Sequence, residues 1–241
     1  MRGFQETVNP QSDSPTVANE SLKIMLAVSA NEGFTTINLD ATNAFLQGKE
    51  ITCEVFAEPP KEMKRQGILW RLKKSCYGLY DGSRNWFLAV KDELENLGCK
   101  QVTGDEAFFT KHSQDNKLEG LLCLHVDDFN CSGNEKFHEE VTEKIPKKFT
   151  FGKVDKRAFR FTGLDFQDED NKIVINQNAY CESLEEISLE RIAEKDEELN
   201  KDEYKKFRGV IGKLSWLQAQ TRPDLAFETL EMSMKKKNGR C

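Results

Sequence analysis

Leu121-Leu-Cys-Leu-His125-Val-Asp127-Asp128-Phe-Asn-Cys131 is an apolar run that meets two adjacent aspartates, turns, and resumes its apolar character. The run ahead of the aspartates reads as a buried strand. Adjacent carboxylates repel one another, and a tight turn beside a buried strand is a costly place for them unless a cation compensates. Hard divalent ions such as Mg2+ take oxygen ligands, often one or two carboxylates together with substrate phosphates. An ordinary exposed turn is the plainer reading of the pair, and the pair alone does not decide between them.

Upstream, Phe34-Thr-Thr-Ile-Asn-Leu-Asp40 alternates and is rich in β-branched residues, which predicts a strand ending at Asp40. Ala41 to Gln47 reads as a helical turn stopped by Gly48. If the two strands are neighbours, Asp40 and Asp127 reach the same sheet edge. Two ions about 4 Å apart, bridged by such carboxylates, serve an in-line phosphoryl displacement. One activates the attacking 3′-hydroxyl and the other neutralises the leaving pyrophosphate. No nucleophilic side chain is needed, which suits a chain with no convincing Ser-His-Asp or Cys-His set and no Walker-type glycine loop. The reading fails if Asp40 lies on the far side of the sheet, or well over a nanometre from Asp127 and Asp128.

Further out, residues 7–20 read as loop and 21–32 as a short helix, with Leu22, Met25, Leu26 and Ser29 at helical spacing. Ile51 to Ala57 reads as a strand closed by Pro59-Pro60. Residues 81–97 form the clearest helix: Asp81 or Ser83 can cap it, Gly98 ends it, and Trp86, Val90, Leu94 and Leu97 share one face. Ala107-Phe-Phe-Thr110 and Gly120 to Phe129 read as strands. Phe159 to Phe166 and Lys172 to Gln177 flank the turn Asp168-Glu-Asp-Asn171. Residues 178–187 and 203–219 read as helices, with an acidic linker or solvated helix between them. This order predicts an α+β fold, a sheet with helices on one face.

The chain has 241 residues and a net charge of −6, which argues against a nucleic-acid partner until its distribution is considered. Residues 182–203 hold ten acids against three bases, whereas residues 144–160 hold seven bases against one acid. That basic stretch is either a solvated face or a site that neutralises phosphates. No stretch approaches the roughly 20 apolar residues that span a bilayer, and the start lacks an apolar signal core, so a cytoplasmic protein is expected. Seven cysteines without a C-x-x-C pair read as reduced thiols, and the three scattered histidines have no zinc-like spacing.

Six motifs in order from Asp40 onward, and a segment at the start of the chain, carry a resemblance. Asp40-Ala-Thr-Asn-Ala-Phe-Leu-Gln-Gly48 resembles the first catalytic motif of copia-type LTR retrotransposon reverse transcriptases. Trp70-Arg-Leu-Lys-Lys-Ser-Cys-Tyr77-Gly-Leu79 with Ser83-Arg-Asn-Trp86 resembles their second. His125-Val-Asp127-Asp128 is similar to their Tyr-Val-Asp-Asp box. Phe161-Thr-Gly-Leu164 resembles the primer-grip segment, and Gln177-Asn-Ala-Tyr180 and Thr221-Arg-Pro-Asp224 are similar to later landmarks. Arg2-Gly-Phe-Gln-Glu6 resembles a segment of the fingers.

The resemblance implies a right-hand polymerase with an antiparallel palm sheet. Residues 1–34 would be partial fingers, 35–157 the palm with finger insertions, 158–187 the primer-grip hairpin and start of the thumb, and 188–241 an acidic linker and thumb or connection helices. It implies Asp40, Asp127 and Asp128 as the catalytic carboxylates around two Mg2+ (or Mn2+) ions, with the Ala41 carbonyl as a further ligand. Phe45 would be a steric gate beneath the incoming sugar, or else a plain core residue, and Asp81 would border the nucleotide. Tyr77, Gly78 and Trp86 share that ambiguity, with Trp86 expected in the core. Phe161, Gly163, Lys153 and Arg157 would meet primer and template. Partners would be a primed RNA or DNA template and dNTPs, in the cytoplasm or in virus-like particles of an intact element.

Several departures stand out. Asp81 occupies a position where many relatives carry glutamine, and a carboxylate there repels a triphosphate unless a cation screens it. His125 replaces the tyrosine of the box. Met1 also falls almost inside the basic strand of the family's fingers, and RNase H, protease and integrase segments are expected to be absent. An inactive relic that at most binds nucleic acid is therefore the competing expectation, and a two-metal nuclease a third.

Overall fold

The aspartates sit at the tip of a hairpin in a computed structural model that describes residues 13–63, 65–169, 172–186 and 199–235. Strand β6 (Leu118–His125) and strand β7 (Asp128–Gly133) pair antiparallel from Gly120↔Gly133 to His125↔Asp128, leaving only Val126 and Asp127 in the turn. The single strand expected over 120–129 is thus two strands. Strand β1 (Thr35–Ala41) adds to the free side of β7 with Asp40 opposite Asp128. Strands β4 (Lys100–Val102), β5 (Asp105–His112) and β8 (Phe151–Lys156) complete a six-stranded sheet in the order β4-β5-β6-β7-β1-β8, antiparallel throughout.

Leu121, Leu122, Cys123 and Leu124 are all buried, so both faces of β6 are covered. On one face lie helix α3 (Gly82–Asn96), through Trp86, Phe87, Val90 and Leu94, and the segment of α4 (Glu135–Phe137), a π-helical turn (His138–Thr142) and α5 (Ile145–Lys148), through Phe137, Val141 and Ile145. On the other lies helix α1 (Asn19–Glu32): Ser132 Oγ donates to Ser29 Oγ at 2.6 Å, and Met25 Sδ meets Cys123 Sγ at 3.2 Å. The expectation of helices on one face is corrected. A continuous apolar strand needs cover on both sides, and α1 supplies the second.

Helix α2 is shorter than expected, Ala44–Gln47, because Asn43 takes a left-handed φ of 52° ahead of it. Its end touches α3: a Cβ on Gly48 would lie 2.9 Å from the Trp86 nitrogen, so this glycine permits the close approach of the two elements. The expected strand 51–57 shrinks to β2 (Phe56–Ala57), paired with β3 (Trp70–Arg71). The expected strand 159–166 is broken at Thr162-Gly163, both at positive φ, into β9 (Ala158–Phe161) and β10 (Leu164–Glu169). These join β11 (Lys172–Asn176) in a three-stranded sheet.

The chain divides into two compact units. The first runs to Phe161 and also takes in Asp168–Ile173; the second holds Thr162–Gln167 and the residues from Val174 onward. The second contains helices α6 (Asn178–Glu182), α7 (Lys201–Gln220) and α8 (Ala226–Lys235). A capping box starts α7: Asn200 Oδ1 accepts from the Asp202 and Glu203 amides, and Glu203 accepts from the Asn200 amide. The Arg2–Glu6 motif and most of the acidic run fall outside the described residues.

Candidate active site

Register builds the site. His125 on β6, Asp128 on β7, Asp40 on β1 and Lys153 on β8 form one cross-strand row, each residue directly opposite the next. Direct partners in an antiparallel pair project to the same face with Cβ atoms about 4.5–5.5 Å apart. Asp40 and Asp128 therefore stand side by side. Asp127 is brought in through the backbone: the Ala41 N–H donates to the Asp127 carbonyl at 2.9 Å. A register shift at Asp40/Ala41 in the pairing with β8 bends β1 where the site forms.

The electrostatics are unbalanced. Burial pushes the Asp128 carboxyl up to about 6, and repulsion from Asp40 and Asp127 adds to it, while a hydrogen bond from the Asn38 amide opposes the rise. None of the three aspartates carries an ion pair among the described residues. Lys153, the basic member of the row, is held by Asp155 at 2.7 Å. Burial lowers the pKa of His125 and Asp127 opposes that fall; the His125 ring packs edge-on against Phe161, centroids 6.2 Å apart.

An oxygen donor set under mutual repulsion, with no bound base, fits hard divalent cations. The Ala41 carbonyl lies on the same bent segment. Even so, no group of three Asp, Glu, His or Cys side chains is gathered closely enough to enclose an ion among the described residues. The strands place the carboxylates side by side without closing them into a cage.

The turn that carries Asp127 is strained. Val126 has φ 58° and Asp127 does not share the positive sign, the pattern of a type II′ turn that prefers glycine at its first position. A β-branched residue held there costs on the order of 1–3 kcal/mol. Trp86 restrains it: the buried indole N–H donates to the Val126 carbonyl at 2.7 Å. Trp86 is in the core as expected, but its polar edge also holds the turn, a role the sequence reading missed. Asn38 was missed too, although its place two residues before Asp40 in a strand puts it on the same face.

Beyond the row, Phe45 is half-buried, its ring 4.6 Å from that of Tyr77 and tilted by 40°. The Asp81 carboxylate accepts from Ser75 Oγ and from the Asn85 amide, each at 2.9 Å. Phe161 is buried, its ring packed against that of His125. Gly163 lies in the second unit. Lys153 and Arg157 are exposed, as are the other five bases of residues 144–160. No described helix is long and apolar enough to cross a membrane.

Residues 2–193 match the family model described as Reverse transcriptase (RNA-dependent DNA polymerase). The chain is similar to the Retrovirus-related Pol polyprotein from transposon RE2 of Arabidopsis thaliana, 25% identical over 237 residues that cover 91% of this chain and 16% of that protein. It is also similar to the Transposon Ty1-DR4 Gag-Pol polyprotein of Saccharomyces cerevisiae, 25% identical over 252 residues, covering 92% of this chain and 15% of that one. It thus spans about a sixth of the length of the curated relatives it matches.

Proposed function

Because the chain belongs to the reverse transcriptase (RNA-dependent DNA polymerase) family, in its copia-type branch, we propose that its six-stranded unit is the palm of a polymerase. It extends a DNA primer on an RNA or DNA template, in the cytoplasm or in virus-like particles, with residues before Thr35 as partial fingers and the C-terminal helices as thumb. One observation carries the reading: Asp40 and Asp128 are direct cross-strand partners, with Asp127 tied to the same point by the Ala41 amide.

Asp40, Asp127 and Asp128 would hold two Mg2+ or Mn2+ ions, with the Ala41 carbonyl as a further ligand. When bound, the ions lower the pKa of the primer 3′-hydroxyl and neutralise the departing pyrophosphate. The protein's own part is alignment. The row fixes the carboxylates, and Trp86 holds the strained turn so that Asp127 does not wander. Phe45 forms the floor of the nucleotide site, where a flat ring clashes with a ribose 2′-hydroxyl. The Asp81 carboxylate, occupied by Ser75 and Asn85, borders that site without turning its charge on the triphosphate. Lys153 and Arg157, with the exposed bases around them, would meet the duplex backbone, and Phe161 and Gly163 would support the primer.

Primer extension on an RNA template with Mg2+ tests the proposal. Wild-type chain should add nucleotides, and Asp127→Asn should abolish addition while keeping its melting temperature. A folded wild-type chain that binds primer–template and never extends it would contradict the reading. It would favour the second one, a silent nucleic-acid-binding relic, which the open arrangement of the carboxylates supports.

A further inference from the structure

The segment that precedes α3 is built to present one side chain. The Leu79 amide donates to the Cys76 carbonyl at 3.1 Å, closing a turn with Tyr77 and Gly78 at its centre. Gly78 has φ 94°, so the turn follows the type II pattern, which needs glycine at this place and leaves Tyr77 at the outer corner. A second lock closes the base of the segment. Ser75 is fully buried, its hydroxyl donates to Asp81, and the Asn85 amide donates to both Asp81 and Ser75. Tyr77 therefore projects from a loop pinned at both ends.

Its ring lies against Phe45. On another side Phe45 meets Gly82, where an added Cβ would come within 3.5 Å of the Phe45 ring. Phe45 is thus held between a tyrosine and a bare stretch of helix backbone. Tyr77 itself is 51% exposed, and its hydroxyl has no partner among the described residues. Burial of its own surface does not explain a large aromatic side chain fixed at an exposed corner, whereas support of the ring beside it does.

We propose that Tyr77 is a specificity-determining residue of the nucleotide site, a backstop that sets the pose of Phe45, and that Asp81 is a positioning residue acting through the Tyr77 loop. The inference rests on the reading of Phe45 as the ring beneath the incoming sugar. Steric rejection of one added hydroxyl depends on a wall that does not yield. A Phe45 ring free to tilt away from the sugar would admit the ribose with little change in affinity for the deoxyribose.

The test uses the full chain, Mg2+, and a primer–template whose primer ends in a dideoxynucleotide, so that binding is read without chemistry. A fluorescent dNTP and the rNTP of the same base are titrated in parallel. Wild type should prefer the deoxy form by up to the order of 100-fold that a steric pocket achieves against an added hydroxyl. Phe45→Val should erase most of that preference. Tyr77→Ala should cut it about tenfold with little change in dNTP affinity, Tyr77→Phe should restore it, and Asp81→Ala should fall between. Tyr77→Leu, which keeps bulk without a flat ring, covers the case in which Tyr77→Ala melts early. If Phe45→Val relaxes the preference and Tyr77→Ala does not, the backstop is overturned and the Phe45 reading stands. A preference unmoved by Phe45→Val, or a wild-type chain that binds neither nucleotide, overturns both.

Discussion

Burial and two neighbouring charges push the Asp128 carboxyl up to about 6, above its ordinary value of 3.8. Between those values the folded chain holds a proton that the unfolded chain has released. Stability therefore falls as pH rises through this window and stays lower above it. Asp128→Asn removes the effect. In chelator, thermal melts at pH 4.5 and pH 7 should show the variant gaining on wild type at the higher pH, and Mg2+ should narrow the gap. A gap independent of pH would mean that burial and repulsion do not raise the Asp128 carboxyl. Trp86 is tested at the same scale. Trp86→Phe keeps an aromatic ring in the core but removes the bond to the Val126 carbonyl, a loss of about 1 kcal/mol of stability, to which the void left by the smaller ring adds. Nucleotide addition should fall by more than that loss accounts for, because the turn bearing Asp127 loses its restraint. Equal losses in stability and rate would make the bond merely structural.

At the scale of elements, the α2–α3 contact depends on Gly48. Gly48→Ala brings a methyl group 2.9 Å from the Trp86 nitrogen, and overpacking of this kind typically costs 1–3 kcal/mol. A melting temperature unchanged by the substitution would show that the two helices can part without cost. Much at this scale was legible in the sequence. The stripe Leu22, Met25, Leu26 and Ser29 is buried as its spacing indicates, and Trp86, Val90 and Leu94 behave likewise. The strand ending at Asp40 runs one residue further. What was not legible depends on turns and partners. The break at Thr162-Gly163 puts a threonine in a left-handed conformation, which residue type argues against. The second apolar face of β6 was visible as an unbroken apolar run, yet only the fold reveals that α1 covers it. The start of α7 was readable from Asn200-x-x-Glu203 and was overlooked.

Across the whole molecule, charge is divided between two stretches. The acidic excess lies in residues 182–203, and the seven bases of residues 144–160 are all exposed, on and around the edge strand β8 beside Asp40. The sign of the net charge is therefore a poor guide to the partner, because a phosphate backbone meets only the local face. The candidate carboxylates could be found in the sequence because each lies at or beside the end of an apolar strand. Their alignment could not, because it depends on the register of β1 against β7, strands distant in the chain. The central claim is that Asp40, Asp127 and Asp128 jointly bind divalent cations, and Mn2+ binding followed by electron paramagnetic resonance tests it most directly. With primer–template and a dNTP present, wild type should bind two ions, and Asp40→Asn and Asp127→Asn should each weaken that binding. Mn2+ binding left unchanged in the folded Asp40→Asn/Asp127→Asn double variant would contradict the account.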